Sequence, residues 1–178
     1  SYINSKITEE QYNSYSTKFF NEEDDYDDDD KEIKAIILEI DSPGGAVTSS
    51  DEIYNALLGF KEADEERKII AHIRGVGASG AYYVAMAADH IIAEPTSIVG
   101  SVGVIMQTVN MKGLADKIGV SSVTIASGKY KDMLNPLKEI DPAEQLILQE
   151  TVDRLHKRFI DIVKSNRQDM LGGFVKAA

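Results

Sequence analysis

The apolar positions change their spacing several times along the chain, and each change predicts an element. Ile33 to Ile40 is a nearly unbroken apolar run rich in isoleucine. It predicts a strand buried on both faces of a sheet. Asp41-Ser42-Pro43-Gly44-Gly45 then forms a dense turn signal. Ser49 followed three residues later by Glu52 matches a capping box, and Ile53, Leu57 and Leu58 continue at helical spacing. Residues 68–74 predict a second strand, 80–89 a second helix, and His90 to Ala93 a short strand ending at Glu94-Pro95. Gly100 to Met106 reads as a turn running into another apolar strand, Met111 to Ile118 as a short helix stopped by Gly119, and Ser121 to Ala126 as a strand. The last element is the most regular. Asp141-Pro142-Ala143-Glu144 supplies an N-cap, a proline at the first helical position and a glutamate at the third. Leu148, Val152, Leu155, Phe159, Ile162 and Val163 then recur every three or four residues, an amphipathic helix of about six turns.

Strands alternating with helices predict an α/β fold with a largely parallel sheet. Residues 1–31 read as a polar lead-in, with Tyr12, Tyr15, Phe19 and Phe20 along one face of a short helix. Residues 32–178 are long enough for a single domain with a real core. No apolar run approaches the ~18 residues of a transmembrane helix.

Charge adds little to this picture once it is located. The net charge of −11 is concentrated in the eight carboxylates between Glu22 and Asp30. That run lacks the glycine and closing glutamate of a calcium loop, and reads as a solvated acidic loop. No metal site is expected. No basic patch points to nucleic acid. The absence of cysteine excludes disulfides, thiol catalysis and thiolate metal sites.

The candidate chemistry centres on Gly77-Ala78-Ser79-Gly80, at the junction between the second strand and the second helix. Small neighbours there let a substrate approach Ser79, and backbone N–H groups at the helix start face any developing negative charge. A serine hydroxyl needs a base. His72 falls inside a strand, His156 on the long helix, and His90 at the end of the helix after Ser79, so each reads as structural. Lysine is the alternative base, provided burial favours its neutral form. Ser127-Gly128-Lys129-Tyr130-Lys131-Asp132 offers two lysines, and local pattern does not choose between them. The N–H of Gly80 and the glycines of Ser42-Pro43-Gly44-Gly45 are the visible sources of an oxyanion hole. Both lie just beyond strand carboxyl ends, where α/β sites form.

Taken together and in order, Asp41-Ser42-Pro43-Gly44-Gly45, Gly77-Ala78-Ser79-Gly80-Ala81-Tyr82-Tyr83, Gly100-Ser101-Val102-Gly103-Val104 and Ser127-Gly128-Lys129-Tyr130-Lys131-Asp132 resemble the signal peptide peptidase family of the SppA type. The resemblance covers about residues 31–168. It implies the Clp protease/crotonase fold of repeated β-β-α and βα units. It also implies Ser79 as nucleophile, Lys131 as general base, Gly45 and Gly80 as oxyanion-hole donors and Ser101 as a residue that orients the lysine. No cofactor is implied. The implied partners are an extended peptide such as a signal-peptide remnant, further copies of the chain in a homo-oligomer, and a membrane reached through an anchor outside this sequence, with the catalytic domain extracytoplasmic. Relative to the family the sequence lacks the opening strand ahead of a glycine turn and the segment that follows the long helix.

Three other readings remain at this level. A phage-type capsid or scaffold maturation protease would use the same Ser–Lys chemistry. A crotonase-like acyl-CoA enzyme would need the glycine donors but neither Ser79 nor Lys131. A catalytically silent interaction module would keep the glycines for packing. A Clp-type Ser–His–Asp site is disfavoured, because residues 91–155 contain no histidine.

Overall fold

The structure, a computed structural model, describes residues 33–167. The predicted lead-in helix and the acidic run lie outside the described residues. The chain divides into two compact units. One comprises the described residues up to Val102 together with those from Ile160 onwards, and the other is Gly103–Phe159.

The first unit is α/β, with a parallel sheet. Strand β1 is Ala35–Ser42, helix α1 is Val47–Glu62, strand β2 is Lys68–Ala78 and helix α2 is Gly80–Ala85. Strands β3 (His90–Ala93) and β4 (Ile98–Gly100) complete the sheet. The eleven-residue β2 is central. It pairs along one edge with β1, and along the other with β3 at Ile70–Ile73 and then β4 at Val76–Ala78. The alternation on β2 shows which face is the core: Ile69, Ala71 and Ile73 are fully buried, whereas Lys68 and Arg74 are exposed. Burial of β1 on both faces is not observed, since only Ile40 is fully buried and the other apolar residues of the strand are half-buried or exposed.

Helix α1 starts three residues earlier than the capping-box pattern predicts. Ala46 is its N-cap, without a side-chain cap bond, so Ser49 lies inside the first turn. The neighbouring Ser50 is buried and donates its hydroxyl to Ala46 O at 3.0 Å. Helix α2 is shorter than predicted. After Ala85 the bonds tighten to i,i−3 turns at Met86, Ala87 and Ala88. The cause is the next strand: Asp89 N–H donates to Ile69 O at 2.8 Å, and Asp89 Oδ2 accepts from Ile69 N–H at 2.8 Å. His90 therefore opens β3 instead of closing a helix.

Asp89 also pairs with Lys61 at 2.9 Å, tying α1 to the start of β3. Partial burial opposes its ionisation, but the Ile69 N–H and the Lys61 ammonium outweigh that and hold the carboxyl below the usual carboxylate range. A depressed folded pKa stabilises the fold above the unfolded pKa, and that stability disappears as pH falls through the folded value. Asp89→Asn is thus expected to lose about 1–2 kcal/mol at pH 7. Urea unfolding should show the gap to wild type closing in acid, and a gap independent of pH would contradict the assignment.

The second unit contains helix α3 (Lys112–Ile118) and most of helix α4 (Pro142–Asn166). Gly119 caps α3 in the left-handed region, as predicted. At the start of α4, Asp141 Oδ1 accepts the Ala143 N–H at 2.8 Å, which is the predicted N-cap. The predicted strands at 101–106 and 121–126 do not form; the only strand in that region is the short β4, which precedes the first of them. Among the described residues no helix is long and apolar enough to cross a membrane.

Candidate active site

Parallel pairing brings the carboxyl ends of β1, β2 and β4 side by side, and each leads into one of the turns singled out in the sequence. Ser42 closes β1, with Gly44 and Gly45 just beyond it; beyond β2 lie Ser79 and Gly80, and beyond β4 Ser101. The β2–β4 register sets Ala78 against Gly100, so Ser79 and Ser101 follow on neighbouring strands. The Ser79 N–H donates to Gly100 O at 2.8 Å and fixes that alignment.

Ser79 takes φ 53° and ψ −123°. Few residues with a Cβ adopt such a conformation, and it costs on the order of 1–3 kcal/mol. It turns the chain sharply from strand into helix, the geometry that lifts a nucleophilic hydroxyl clear of the sheet. The Ser79 carbonyl then accepts the Tyr83 N–H at 2.9 Å and starts α2. Tyr83 is buried, stacks edge-on against Tyr54 with ring centroids 5.4 Å apart, and donates its hydroxyl to Asp51. The elbow is thereby anchored to α1.

Gly44 and Gly80 pack too closely for any side chain. A Cβ on Gly44, which has φ +98°, would lie 2.6 Å from Gly80 N, 2.8 Å from Ala78 O and 2.9 Å from Ser79 Cβ. A Cβ on Gly80 would overlap Ser50 Oγ and come within 3.1 Å of Gly45 N. The Gly44–Gly45 turn thus lies directly against the Ser79–Gly80 elbow. No hydrogen bond among the described residues occupies the N–H of Gly45 or of Gly80. With α2 only six residues long, stabilisation of an oxyanion falls to these individual donors more than to a helix dipole. Gly44→Ala is expected to cost about 3 kcal/mol, from the strained φ and the overlap with backbone. Thermal unfolding checks this, and an unchanged Tm would show that the turn can relax.

Ser101 also has a positive φ, 56°, directly after Gly100 at 112°. Two successive left-handed residues bend the chain away at the end of β4 and leave Ser101 exposed.

Lys129 and Lys131 belong to the second unit, on a run of turns from 128 to 138. Both are exposed. The Lys129 ammonium lies 5.0 Å from the centre of the Tyr130 ring. The Tyr130 hydroxyl, with Asp141 and Glu144 as weaker influences, holds Lys129 above the usual lysine range, which favours its ammonium form and leaves less free amine to act as a base. Lys131 makes no side-chain hydrogen bond or ion pair among the described residues. Of the histidines, His72 pairs with Glu94 at 3.0 Å on the sheet, His90 is exposed at the start of β3, and His156 lies on α4. Among the described residues no cluster of His, Asp and Glu could hold a metal ion.

Local pattern did not reveal two supports of the elbow, Tyr83 with Asp51 and Ser50 beneath Gly80. The spacing from Asp51 to Tyr83 carries no periodic signal; only the packing of α1 against α2 joins them.

A strained serine on a strand-to-helix elbow, facing open glycine N–H groups at the carboxyl end of a parallel sheet, has the layout of a serine hydrolase site. Residues 61–172 match the model of peptidase family S49, a span that holds Ser79, Gly80, Ser101 and Lys131. Among curated relatives, a putative protease of Synechocystis sp. is 41% identical over 139 residues, covering 78% of this chain and 49% of that protein. A putative signal peptide peptidase SppA of Enterococcus faecium is 35% identical, covering 78% of this chain and 40% of that protein. The chloroplastic serine protease SPPA of Arabidopsis thaliana is 37% identical, covering 74% and 19%. The chain belongs to peptidase family S49. It spans about half the length, or less, of the curated relatives it matches.

Proposed function

We propose that this chain is the catalytic core of a serine peptidase that cleaves peptide bonds through an acyl-enzyme, with Ser79 as nucleophile and Lys131 as base. The observation that carries the proposal is the Ser79 elbow, held at φ 53° against the Gly44–Gly45 turn. The neutral Lys131 amine accepts the Ser79 proton as Oγ attacks the scissile carbonyl. The Gly45 and Gly80 N–H groups receive the negative oxygen of the tetrahedral intermediate. The lysine ammonium then protonates the leaving amine, and water activated by the same amine releases the acid. Ser101, beside Ser79 in the sheet register, orients the lysine.

The substrate class proposed is an extended apolar peptide, including signal-peptide remnants, in keeping with the name of the Enterococcus relative. A Clp protease/crotonase fold, a single protease domain formed by both units, and attachment to a membrane through a segment outside this sequence are parts of the same proposal. So is a homo-oligomer, which would cover the apolar side chains of Ile105, Val123 and Ile125, each more than four-fifths exposed in the single chain.

A fluorophosphonate probe tests the core of this reading. Peptide mapping should find the adduct on Ser79. Labelling elsewhere, or none on folded and assembled protein, would refute it.

A further inference from the structure

A lysine base must be held in one place, yet the segment that carries Lys131 belongs to no strand or helix. Its bonds around Lys131 are local. Lys131 N–H donates to Gly128 O at 3.2 Å, Asn135 N–H to Asp132 O at 3.1 Å, and Lys138 N–H to Asn135 O at 3.3 Å. Leu134, in the middle, has φ 65°. Such bonds shape each turn, and the backbone ties to the rest of the unit come only after Leu134: Pro136 O accepts the Met111 N–H at 2.7 Å and Lys138 O accepts from Asn110 Nδ2 at 2.9 Å, while Asn135 Nδ2 donates to Thr124 Oγ1 at 3.4 Å. Asp132, Asn135 and Lys138 also line an open cavity of about 380 Å³, so the turns have no packed wall on that side.

One side chain supplies a tie at Asp132, the residue next to Lys131. Lys138 Nζ lies 2.6 Å from Asp132 Oδ1 and 2.7 Å from Glu144 Oε1. Asp132 is the residue after Lys131. Glu144 is in the first turn of the 25-residue α4 and is only 3% exposed. A carboxylate so buried is tolerated when it is paired, and the N-terminal end of a helix favours it further. The ammonium therefore staples the backbone next to Lys131 to the stiffest element of the unit. Buried ionic groups of this kind add little net stability, which points to geometry as their contribution.

We infer that Lys138 is a positioning residue of the peptidase, clamping Asp132 to Glu144 so that Lys131 is presented to Ser79 in a fixed place. The inference rests on the Ser79–Lys131 reading above. Asp132→Ala cuts the clamp at the turn and leaves the Lys138–Glu144 pair intact, so the buried charge stays compensated. It is expected to lower kcat by about 10- to 100-fold, because displacement of about 1 Å is enough for such a loss. KM should stay within about threefold, and fluorophosphonate labelling of Ser79 should slow in step with kcat. Lys138→Met/Glu144→Gln removes the clamp from the other end and should show the same split. Lys138→Arg should retain most activity, since a guanidinium fork reaches both carboxylates.

Wild-type kcat and labelling rate in the two cutting variants would overturn the inference. So would losses no larger than the drop in folded fraction, since a purely structural tie predicts that result. Lys131→Ala, assayed alongside, separates the two claims. If it is inactive while Asp132→Ala and Lys138→Met/Glu144→Gln are fully active, only the clamp is refuted. If Lys131→Ala is fully active, the base assignment falls and the clamp falls with it.

Discussion

Ser79→Ala is expected to reduce peptide hydrolysis by roughly 10⁴- to 10⁶-fold, the scale seen when a serine hydrolase loses its nucleophile. Fluorophosphonate labelling should vanish with it. The fold should persist, because alanine also carries a Cβ and bears the same strain at φ 53° that serine bears. The bonds that hold the elbow, from Ser79 N–H to Gly100 O and from Tyr83 N–H to Ser79 O, involve only backbone and survive the substitution. Ser79→Gly should go further, losing activity while gaining about 1 kcal/mol of stability as the strain is released. Activity retained in Ser79→Ala, with an unaltered thermal midpoint, would remove the nucleophile assignment outright.

Lys131→Ala carries the second large effect, a loss of about 10²- to 10⁴-fold, the usual contribution of a positioned base. Stability should not change, since the side chain is exposed and makes no ion pair among the described residues. Lys129→Ala is the control and should stay within about threefold of wild type. Its ammonium is favoured by the Tyr130 hydroxyl, so it resists giving up the proton that a base must lose. With an amine base, kcat/KM should rise as pH increases into the alkaline range. An acid optimum would speak against any lysine. Reversed effects in the two alanine variants would move the base by two residues.

How much of this was legible beforehand depended on whether a feature is local. The apolar run of β1, the alternation of β2 and the capped start of α4 are written in consecutive residues, and all three elements form. Periodicity was misleading at 121–126. Val123 and Ile125 alternate as in a strand, but a strand exists only when a partner accepts its backbone bonds, and among the described residues none does. Ile125 is 97% exposed. The end of α2 was misjudged for a related reason. The alanines of 85–88 favour helix, yet the bonds between Asp89 and Ile69 pull the chain out of it towards β3.

The sequence by itself determined the family, the α/β class and the Gly-flanked serine between strand and helix, since each depends on residues close together along the chain. Only the tertiary structure decided that the Gly44–Gly45 turn lies against the elbow, that the strand leading to Ser101 pairs with the strand leading to Ser79, and that Lys138 joins Asp132 to Glu144. These are relations between backbones or charges brought together by sheet register and helix packing. No spacing rule encodes them, because the intervening chain can take any length that closes the loop.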